Sequence, residues 1–483
     1  MTKNYPELHT RPSLNVLSED QVEQIHLATL EVLERTGVQI KHLRALELLD
    51  GAGANVDGDR VRIPARIVEE AIHASPPCFA LGKRNGEPAL LLEENRSWYG
   101  AGLDCMDYLD PVTDERRRFT SEDCRVTATI TNVLPNYSWA MSLGLAADAP
   151  ADIADRVIAK QALTYCEKPL VFCCNDIASL HAIYDMAVLI VGSEKRFRKA
   201  PTIAHLSSPV SPLSYYDDMA EKIIFCAEKG IPQIFYSGLQ AGATSPATFA
   251  GTIVQGSAES LSGLVLAQIV HPHAPVIYGA FTTIMDMTTA IFSYGAPEMN
   301  LMTAAMAKMA KRYKLPFFGT AGCTDAKFCD DPQAAIEATF SCLSSALSGA
   351  NLIHDIGLLD HSTLISPNYL VLNNEVLHMV KQYMRGILVN NETLALDLID
   401  RVGPGGHYLE EKHTIDHFRD VWYSQLFDRT NYDEWLKQGA RPFKKRLREQ
   451  TRKLMDLNTA SLPTEIVKEM DRMEKLWHRD SGH

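Results

Sequence analysis

The sequence predicts an α/β protein whose core is a (β/α)8 barrel. Three observations support this fold class. Short apolar runs alternate with longer segments of helical periodicity through the middle of the chain. The alternation repeats seven or eight times, which favours a barrel over an open doubly wound sheet. Within Pro316–Gly357, a strand, a polar loop, a helix and a second strand follow one another as one complete step of such a barrel.

The predicted domain boundaries follow from where this alternation begins and ends. Residues 1–136 are expected to form a cap of helices and a β-hairpin, residues 137–390 the barrel core, and residues 391–483 a helical extension packed on the barrel. In the cap, Leu17–Gly37 has helical spacing and ends at a glycine. The Asp-Pro pair at Asp110 is typical of a hairpin turn.

Eight strands are predicted from the apolar runs, and the eighth is placed shortly after the seventh. The predicted strands are Trp139–Leu145, Leu170–Cys174, Thr202–Leu206, Ile234–Tyr236, Val276–Gly279, Phe317–Gly319, Leu352–Ile356 and a run near Ser362–Ile365. The predicted helices include Ala151–Cys166, Ile177–Val191, Tyr215–Glu228, Phe249–Val270 and Met299–Tyr313. Because barrel enzymes carry their chemistry at the carboxyl ends of the strands, the residues that follow each strand are the candidates for function.

The composition narrows the class of protein. Of the 483 residues, 46% are hydrophobic and 22% are charged, as in ordinary soluble globular proteins. The 47 basic and 60 acidic side chains give a net charge of −13, which argues against nucleic acid or an anionic membrane as a partner. The ten cysteines, together with the polar stretch Met1–Pro12 where a secretion signal would be apolar, predict a cytoplasmic protein with reduced thiols.

Aromatic and polar side chains recur where the predicted strands end. His205 ends one strand, Tyr236 ends the next, and Tyr278 and Phe281 belong to the one after. His354 lies in the last apolar run before a glycine. Each of these residues alone is more often a core residue than a ligand contact. Together they describe a barrel mouth that suits an apolar cation, because aromatic faces attract cationic groups.

A second cluster lies near the C-terminal end of the chain. His413 and His417 are one helical turn apart, so one helix face could present two imidazoles to a metal ion. The competing interpretation is a surface helix whose histidines contact neighbouring loops, and we favour it because no CxxC pair accompanies them. No metal site is therefore predicted. An unrelated metal-dependent barrel hydrolase stays an alternative that depends on these two histidines.

Several blocks of sequence also carry a resemblance that covers most of the chain from Leu17 to Trp435. They are the run Gly-Thr-Ala-Gly-Cys-Thr-Asp-Ala-Lys from Gly319, the helix start Asp-Pro-Gln-Ala-Ala-Ile-Glu from Asp331, Ser348–Asn351, Thr248–Glu259, Tyr294–Glu298, Val402–Gly406 and His413-Thr414. These blocks resemble the trimethylamine methyltransferase family. That family moves a methyl group from a methylated amine to the cobalt of a partner corrinoid protein. The resemblance therefore implies a methyltransferase with a corrinoid (cobalamin) carried by a cognate partner, and a homo-oligomer.

One departure from the family pattern bears on the substrate. Founding members carry pyrrolysine just after the Asp-x-Lys motif, and the matching position here is Phe328. This resembles the branch without pyrrolysine, whose substrates are quaternary amines, and it implies glycine betaine, giving dimethylglycine. Carnitine, proline betaine and other quaternary amines are alternatives within the same reaction. A non-catalytic quaternary-amine binding protein on the same barrel is an alternative from another class.

The resemblance also implies roles for the strand-end residues. His354 and Phe328 are predicted to be catalytic, and His354 and His205 to donate hydrogen bonds to a betaine carboxylate. Glu259, which lies among apolar helix residues, is predicted to brace the barrel. Positioning and exclusion of water are expected to supply the catalysis, since a quaternary nitrogen cannot exchange a proton. The predicted substrate contacts are Tyr99, His205, Tyr236, Tyr278, Phe281 and His354, and the predicted contacts to the corrinoid are Gly322, Asp286 and Gly357.

Overall fold

A computed structural model describes residues 7–457 and 462–480, and its centre is a ring of eight parallel strands. The first half of the polar start Met1–Pro12 lies outside the described residues. The strands of the ring are β1 (Trp98–Ala101), β2 (Ala140–Met141), β3 (Leu170–Phe172), β4 (Ile203–Ser207), β5 (Gln233–Ala241), β6 (Val276–Asp286), β7 (Phe317–Thr320) and β8 (Leu352–Ile356). Strand β8 pairs with β1, and a parallel bridge between Gly100 and Trp139 joins β1 to β2 and completes the ring.

One helix follows each strand, so the prediction of a (β/α)8 barrel is confirmed. The helices are α1 (Ser121–Val133), α2 (Ala154–Tyr165), α3 (Ile177–Val191), α4 (Asp217–Lys229), α5 (Phe249–Val270), α6 (Pro297–Tyr313), α7 (Pro332–Ser348) and α8 (Pro367–Met384). Local sequence explains where they begin. Asp331 accepts a hydrogen bond from the backbone N–H of Gln333, and Pro332 occupies the first turn of α7. Ser366 caps α8 in the same way.

The eighth barrel strand is β1, and not the run near Ser362–Ile365. That run contributes Leu364–Ile365 to a separate small sheet with Leu358–Leu359, Asp107–Leu109 and Arg116–Arg118. Strand β1 lies inside the range 1–136 that the sequence assigned to the cap. Its pattern is weakened by Gly100, which is needed because a Cβ there would lie 2.2 Å from the Trp139 ring. The strand was missed for this reason.

The N-terminal segment covers the most apolar helix of the barrel. By length and composition α5 could cross a membrane, but 78% of its most apolar window is buried. Glu19–Glu31, Leu43–Gly51 and Ala65–Ala74 pack against it and shield it from solvent. The other elements before β1 are the strands Leu8–Thr10, Val38–Ile40, Asn55–Asp57, Arg60–Arg62, Phe79–Gly82 and Pro88–Leu92 and the π-helical turn Val32–Thr36.

The C-terminal segment returns along the outside of the barrel. Ile387–Val389 pairs with Leu8–Thr10, Phe443–Met455 packs on α8 and α1, and Thr464–Asp480 packs on α2 and α3. The remaining elements are Glu194–Lys199, Ser214–Tyr215, Ile291–Phe292, Asn391–Leu394, Leu396–Val402, Lys412–His417 and Tyr432–Lys437. The chain after α8 therefore ties both ends of the described chain to the barrel wall.

Candidate active site at the barrel mouth

A polar and aromatic layer fills the barrel just below its carboxyl end. The ring of His354 stacks on Phe318 with centroids 4.2 Å apart, and the ring of Tyr236 meets it edge-on at 4.8 Å. Nε2 of His354 lies 3.2 Å from the hydroxyl of Thr320, which also hydrogen-bonds the Tyr236 hydroxyl. Thr320 and His354 are paired across β7 and β8, so both side chains face inward. Side chains from β5, β7 and β8 thus meet in one layer.

Asp355 departs from the regular strand geometry of β8. The pairing of β8 with β1 shifts register between Ile353 and Ile356, and Asp355 has φ +70°, which is unfavourable for a non-glycine residue. Bulges of this kind redirect a side chain near active sites. Its neighbour His354 faces inward, so regular alternation would send the Asp355 carboxylate outward. The distortion explains how Nδ1 of His354 comes to lie 2.7 Å from Oδ1 of Asp355.

The Asp355 carboxylate is fully buried and poorly stabilised. Neither of its oxygens has a hydrogen bond of good geometry among the described residues, although Nδ1 of His354 is close. Burial raises the pKa of Asp355 above its ordinary value, and His354 and Tyr294 oppose this effect only in part. A buried negative charge with so little compensation is costly to the fold. A cation bound beside it would offset that cost.

Aromatic side chains from the loop after β6 form one wall of the mouth. The ring of Tyr294 lies 4.9 Å from that of Phe281, which in turn lies 6.3 Å from Tyr236 and 6.0 Å from Phe292. The negative charge of Asp355 acts on Tyr294, although burial is the main reason why the pKa of Tyr294 is raised. Sequence reasoning missed Phe292 and Tyr294 as site residues. The available signal was that Tyr294 begins one of the blocks that carry the family resemblance.

A second carboxylate stands at the same end of the barrel. Burial raises the pKa of Asp104, which follows β1, to about 6, although Ser142 and Cys173 favour its ionised form. Burial also raises the pKa of the Cys105 thiol, and the charges of Asp104 and Asp355 add to this effect. Asp104 and Asp355 therefore lie near one buried thiol at this end of the barrel, and each contributes a negative charge when it is ionised. The site therefore favours a cationic ligand over an anionic one.

The carboxylate of Asp325, which lies in the loop after β7, contacts the loops that follow β6 and β8. Nδ1 of His361 lies 2.8 Å from Oδ1 of Asp325, and the same carboxylate accepts hydrogen bonds from the Tyr294 backbone N–H at 2.7 Å and from the Ser293 hydroxyl. Burial disfavours ionisation of Asp325, but these hydrogen bonds outweigh it and hold its pKa below the ordinary value. Residues 360–362 all have positive φ. The tight loop fixes the position of Tyr294.

Two predicted substrate contacts face the helices and not the mouth. The hydroxyl of Tyr278 lies 2.6 Å from Oγ of Ser257 on α5, and its ring meets Tyr313 of α6 at 5.4 Å. Tyr99 is buried against α8, where Nζ of Lys381 lies 5.6 Å from its ring centre. The structure therefore corrects these predictions. Strands of a parallel barrel are buried on both faces, so their apolar pattern does not tell which alternate residues point inward.

His205 is also turned toward the helix layer. Its Nε2 lies 3.3 Å from Sγ of Cys174 and its Nδ1 lies 2.9 Å from Oγ of Ser207, and its ring packs edge-on against Phe172. Burial lowers the pKa of His205 to about 3, and the charge of Lys222 on α4 contributes. The imidazole is therefore neutral in the folded protein. It is out of position to donate to a substrate carboxylate at the mouth, which corrects the role predicted for it.

Replacing His205 with glutamine is expected to make the protein less sensitive to acid. The unfolded histidine takes up a proton below pH 6.5, whereas the folded one stays neutral until about pH 3, so stability is lost as the pH falls between these values. From pH 6.5 to 5, the wild type should lose about 1.5–2 kcal/mol more unfolding free energy than His205→Gln. Urea unfolding at both pH values measures this difference. Equal losses in the two proteins would contradict the assignment.

Phe328 lies in the loop after β7, on the carboxyl side of the barrel, and 46% of it is exposed. Its backbone carbonyl accepts a hydrogen bond from the N–H of Asp331 at the start of α7. Within residues 7–457 and 462–480, its ring makes no aromatic contact with the layer around His354. That Phe328 lines the substrate pocket stays a prediction. If it does, it lies at the outer rim of the mouth.

If Phe328 covers the bound substrate, Phe328→Ala should raise KM for a quaternary amine about fivefold, equivalent to about 1 kcal/mol of lost contact. Tm should not change, because the side chain is half exposed. Phe340→Ala is the matched control, since Phe340 is 50% exposed on the outer surface of α7. Equal KM values for Phe328→Ala and the wild type would remove Phe328 from the site.

The three residues predicted to meet the corrinoid lie at the ends of β6, β7 and β8. Gly322 has φ +76°, and a Cβ there would lie 2.9 Å from Ile356. Gly357 has φ +104°, and a Cβ there would lie 2.2 Å from Leu370. Oδ1 of Asp286 accepts the backbone N–H of Thr288. Both glycines are thus required by backbone geometry and packing, and contact with a corrinoid stays a prediction.

Glu259 braces the barrel, as the sequence indicated. It is fully buried in α5. Its carboxylate accepts hydrogen bonds from the Ser211 hydroxyl at 2.7 Å and from the Leu213 backbone N–H and the Gln255 side-chain amide, both at 2.9 Å. These bonds tie the loop after β4 to α5 and satisfy the buried charge.

Comparison with known proteins gives matches over most of the chain. The chain matches the family described as trimethylamine methyltransferase (MTTB) over residues 1–475. It is 34% identical to trimethylamine methyltransferase MttB of Desulfitobacterium hafniense (strain DSM 10664 / DCB-2), over 93% of this chain and 91% of that protein. It is 31% identical to glycine betaine methyltransferase of Desulfitobacterium hafniense (strain Y51), over 88% of this chain and 89% of that protein.

Solved structures show a similar fold. The monomethylamine methyltransferase MtmB of Methanosarcina barkeri superposes with a TM-score of 0.50, over 91% of this chain and 87% of that chain. A hydroxylamine complex of MtmB gives the same TM-score and covers 88% of that chain. Sequence identity to both is 11%, so this likeness concerns the barrel architecture alone.

Proposed function

Because the chain belongs to the trimethylamine methyltransferase family, we propose that it demethylates a quaternary amine, most simply glycine betaine, and delivers the methyl group to a cognate corrinoid protein. Family membership makes the chain a methyltransferase. The identity of the substrate and of the methyl acceptor is what we propose. The partner's reduced corrinoid, Co(I), supplies the nucleophile, and dimethylglycine is the product expected from glycine betaine.

The single observation that carries the proposal is the Asp355 carboxylate in its aromatic surroundings. The carboxylate is fully buried, has little hydrogen bonding, and is held at the mouth by a strained backbone. Strain of this kind persists where the surrounding structure enforces it, and it is concentrated at functional sites. A quaternary ammonium has no N–H to donate, so its recognition depends on charge and on aromatic faces. Asp355 offers the charge, and Tyr236, Phe281 and Tyr294 offer aromatic rings.

The energetic scale of such a site is sufficient for binding. Each cation–π contact contributes about 0.5–2 kcal/mol, the larger value applying where water is excluded. Tyr236, Phe281 and Tyr294 are each less than a tenth exposed, so the larger value is the relevant one. Two or three such contacts and one buried opposite charge would support a Kd in the micromolar to millimolar range.

The electrostatics of the site favour a quaternary over a tertiary amine. A buried site disfavours the charged form of a protonated tertiary amine, which can lose its proton and with it the attraction to a carboxylate. A quaternary amine keeps its positive charge whatever the pH. Phe328 at the position where founding family members carry pyrrolysine supports the same choice of substrate.

The protein's own residues would position the substrate and keep water away. Asp355 and the aromatic wall would hold the ammonium group, and His354, stacked on Phe318, would keep the Asp355 carboxylate in place. One N-methyl group then points out of the mouth toward the partner. The carboxylate of glycine betaine would face away from the two buried acids, toward the rim cations Arg116 and Lys327, which both contact Asp360.

The proposal is tested by combining purified protein with a reduced corrinoid protein and a panel of amines. Glycine betaine, carnitine, proline betaine and trimethylamine are compared by the absorbance change of the corrinoid and by the demethylated product. Turnover of a quaternary amine with little turnover of trimethylamine is the expected result. A preference for trimethylamine, or no turnover of any quaternary amine, would overturn the proposal.

Two alternatives are separated by the same panel. Preference for carnitine or proline betaine would keep the reaction and change the substrate. A protein that only binds quaternary amines would show saturable heat of binding by calorimetry and no corrinoid methylation. The aromatic and acidic site is compatible with binding alone, so the turnover measurement decides between these functions.

A further inference from the structure

Two histidines and a glutamate meet in the C-terminal extension, away from the barrel mouth. His413 and His417 lie on the helix Lys412–His417 with ring centroids 4.4 Å apart. Glu392, from the helix Asn391–Leu394, faces them, and one ligand atom from each of the three residues lies within 4.8 Å of the other two. Ligands about 2.0–2.1 Å from a tetrahedral metal ion are about 3.4 Å apart. Small rotations of side chains would bring the three atoms to that spacing.

The orientation of His417 is typical of a metal ligand. Its Nδ1 lies 2.9 Å from Oδ2 of Asp420, which fixes the ring and leaves Nε2 directed at the cluster. Nε2 lies 2.6 Å from Oε1 of Glu392. A carboxylate behind the distal nitrogen of a histidine is the usual second contact of metal-bound imidazole, because it fixes the tautomer and increases ligand basicity.

His413 provides an independent observation. Its Nε2 is buried and has no hydrogen-bond partner among the described residues. Buried polar atoms in native proteins are almost always bonded, so an orphaned imidazole nitrogen requires an explanation. Ion pairs of His417 with Glu392 and Asp420 account for those three residues, but they leave Nε2 of His413 without a hydrogen bond in the described part of the chain. A metal ion bound by all three ligands accounts for the buried nitrogen as well.

We propose that Glu392, His413 and His417 bind a divalent transition metal ion, best suited to Zn²⁺, and that this ion has a structural role. Two imidazoles and one carboxylate are nitrogen and oxygen donors of the kind that Zn²⁺ accepts, whereas Ca²⁺ and Mg²⁺ require oxygen ligands. Glu392 is exposed, so water can occupy the fourth position.

The expected consequence of binding is a firmer attachment of the extension to the barrel. The backbone carbonyl of Asp420 accepts a hydrogen bond of 2.8 Å from the side-chain amide of Gln382 near the end of α8. Through Asp420, the site links two short helices of the extension to that barrel helix. The end of α8 lies opposite the carboxyl face of the barrel, so the ion would stabilise the fold and take no part in methyl transfer.

The test uses the full-length protein after treatment with a chelator and dialysis. Zn²⁺ is titrated by calorimetry, and Co²⁺ is titrated by its visible absorption, which reports tetrahedral coordination. We expect one equivalent to bind, Tm to rise with Zn²⁺, and His413→Ala and His417→Ala to weaken binding at least 100-fold. His407→Ala is the matched control, since His407 is an exposed histidine of the same segment.

Because an alanine variant could fail to fold, Glu392→Gln is measured as well. It preserves the size of the side chain and removes the charged ligand, and it should weaken binding about tenfold or more. Absence of saturable binding to the wild type would overturn the proposal. So would unchanged affinity in folded His413→Ala and His417→Ala. Methyl transfer is expected to be equal with and without Zn²⁺, so this result is independent of the proposed function.

Discussion

Replacing Asp355 with asparagine is expected to lower kcat/KM for a quaternary amine by about 100-fold, equivalent to about 2.7 kcal/mol of lost stabilisation. The variant keeps the shape of the side chain and removes the negative charge that faces the ammonium group in the proposed function. The loss should be seen in KM more than in kcat, because the charge attracts the substrate in the ground state as well as in the transition state. Initial rates of corrinoid methylation over a range of substrate concentrations measure both parameters.

The same substitution should not destabilise the protein. Asparagine tolerates the positive φ of +70° at this position better than most residues do. Burial raises the pKa of Asp355. The unfolding free energy of the wild type therefore falls as the pH rises from the ordinary pKa of an aspartate to this raised pKa, and the ionised carboxylate remains costly at higher pH. At pH 7.5, Asp355→Asn should therefore melt at the same temperature as the wild type or higher.

Asp185→Asn, at an exposed position on α3, is the matched control for Asp355→Asn. It should leave both kcat/KM and Tm unchanged. A large drop in Tm for Asp355→Asn, parallel to the drop in activity, would identify Asp355 as a structural residue. Unchanged kinetics would remove it from the binding site.

Replacing His354 with alanine is expected to reduce turnover by about 50-fold or more and to lower the unfolding free energy by about 2–4 kcal/mol. The variant removes the ring that stacks on Phe318, the contact to Thr320 and the group beside the Asp355 carboxylate. Without the imidazole, the carboxylate becomes still harder to ionise, so the site loses charge as well as shape. Turnover measured well below Tm, together with urea unfolding, separates the two effects.

Two comparisons make this prediction specific. His354→Gln retains a side-chain amide within reach of Thr320 and should recover part of the stability, while turnover stays low. His26→Ala also removes a fully buried histidine, one that contacts Tyr313 and Glu69 in the N-terminal segment. It should lose comparable stability and keep kcat/KM. Equal turnover for His354→Ala and the wild type would remove His354 from the reaction.

The barrel was predictable because its signals are local. Capping residues such as Asp331 and Ser366, the glycine that ends a helix, and the repeated change from apolar run to helical spacing are all encoded over a few residues. Strand β1 was not predicted because the evidence for it is not local. It is four residues long and contains Gly100, and its place in the ring depends on a bridge to Trp139, which lies just before the next strand.

The site was only partly predictable for a related reason. His354, Tyr236 and Phe281 were found and do meet at the mouth, whereas Tyr278 and His205 are each one position out of phase and face the helices. In a strand that is buried on both sides, inward and outward positions are equally apolar, so the sequence does not show which residues point into the barrel.

The role of Asp355 required three-dimensional information of another kind. It lies next to His354, and by regular alternation it should point away from the mouth. A register shift and a positive φ reverse this direction. Tyr294 is likewise placed by its backbone N–H, which donates to Asp325, and Asp325 is in turn held next to His361. Such tertiary effects leave no periodic trace in the sequence.

The shielding of α5 by the N-terminal helices has a consequence for biosynthesis. Glu19–Glu31 and Ala65–Ala74 are made first, but α5, against which they pack, follows about 200 residues later, after about 10–40 s of translation. During that interval both helices lack the helix against which they mainly pack, and α5 itself emerges before the barrel can close. A version that lacks the first 74 residues would leave one face of this apolar helix of 22 residues exposed and should be recovered as aggregate.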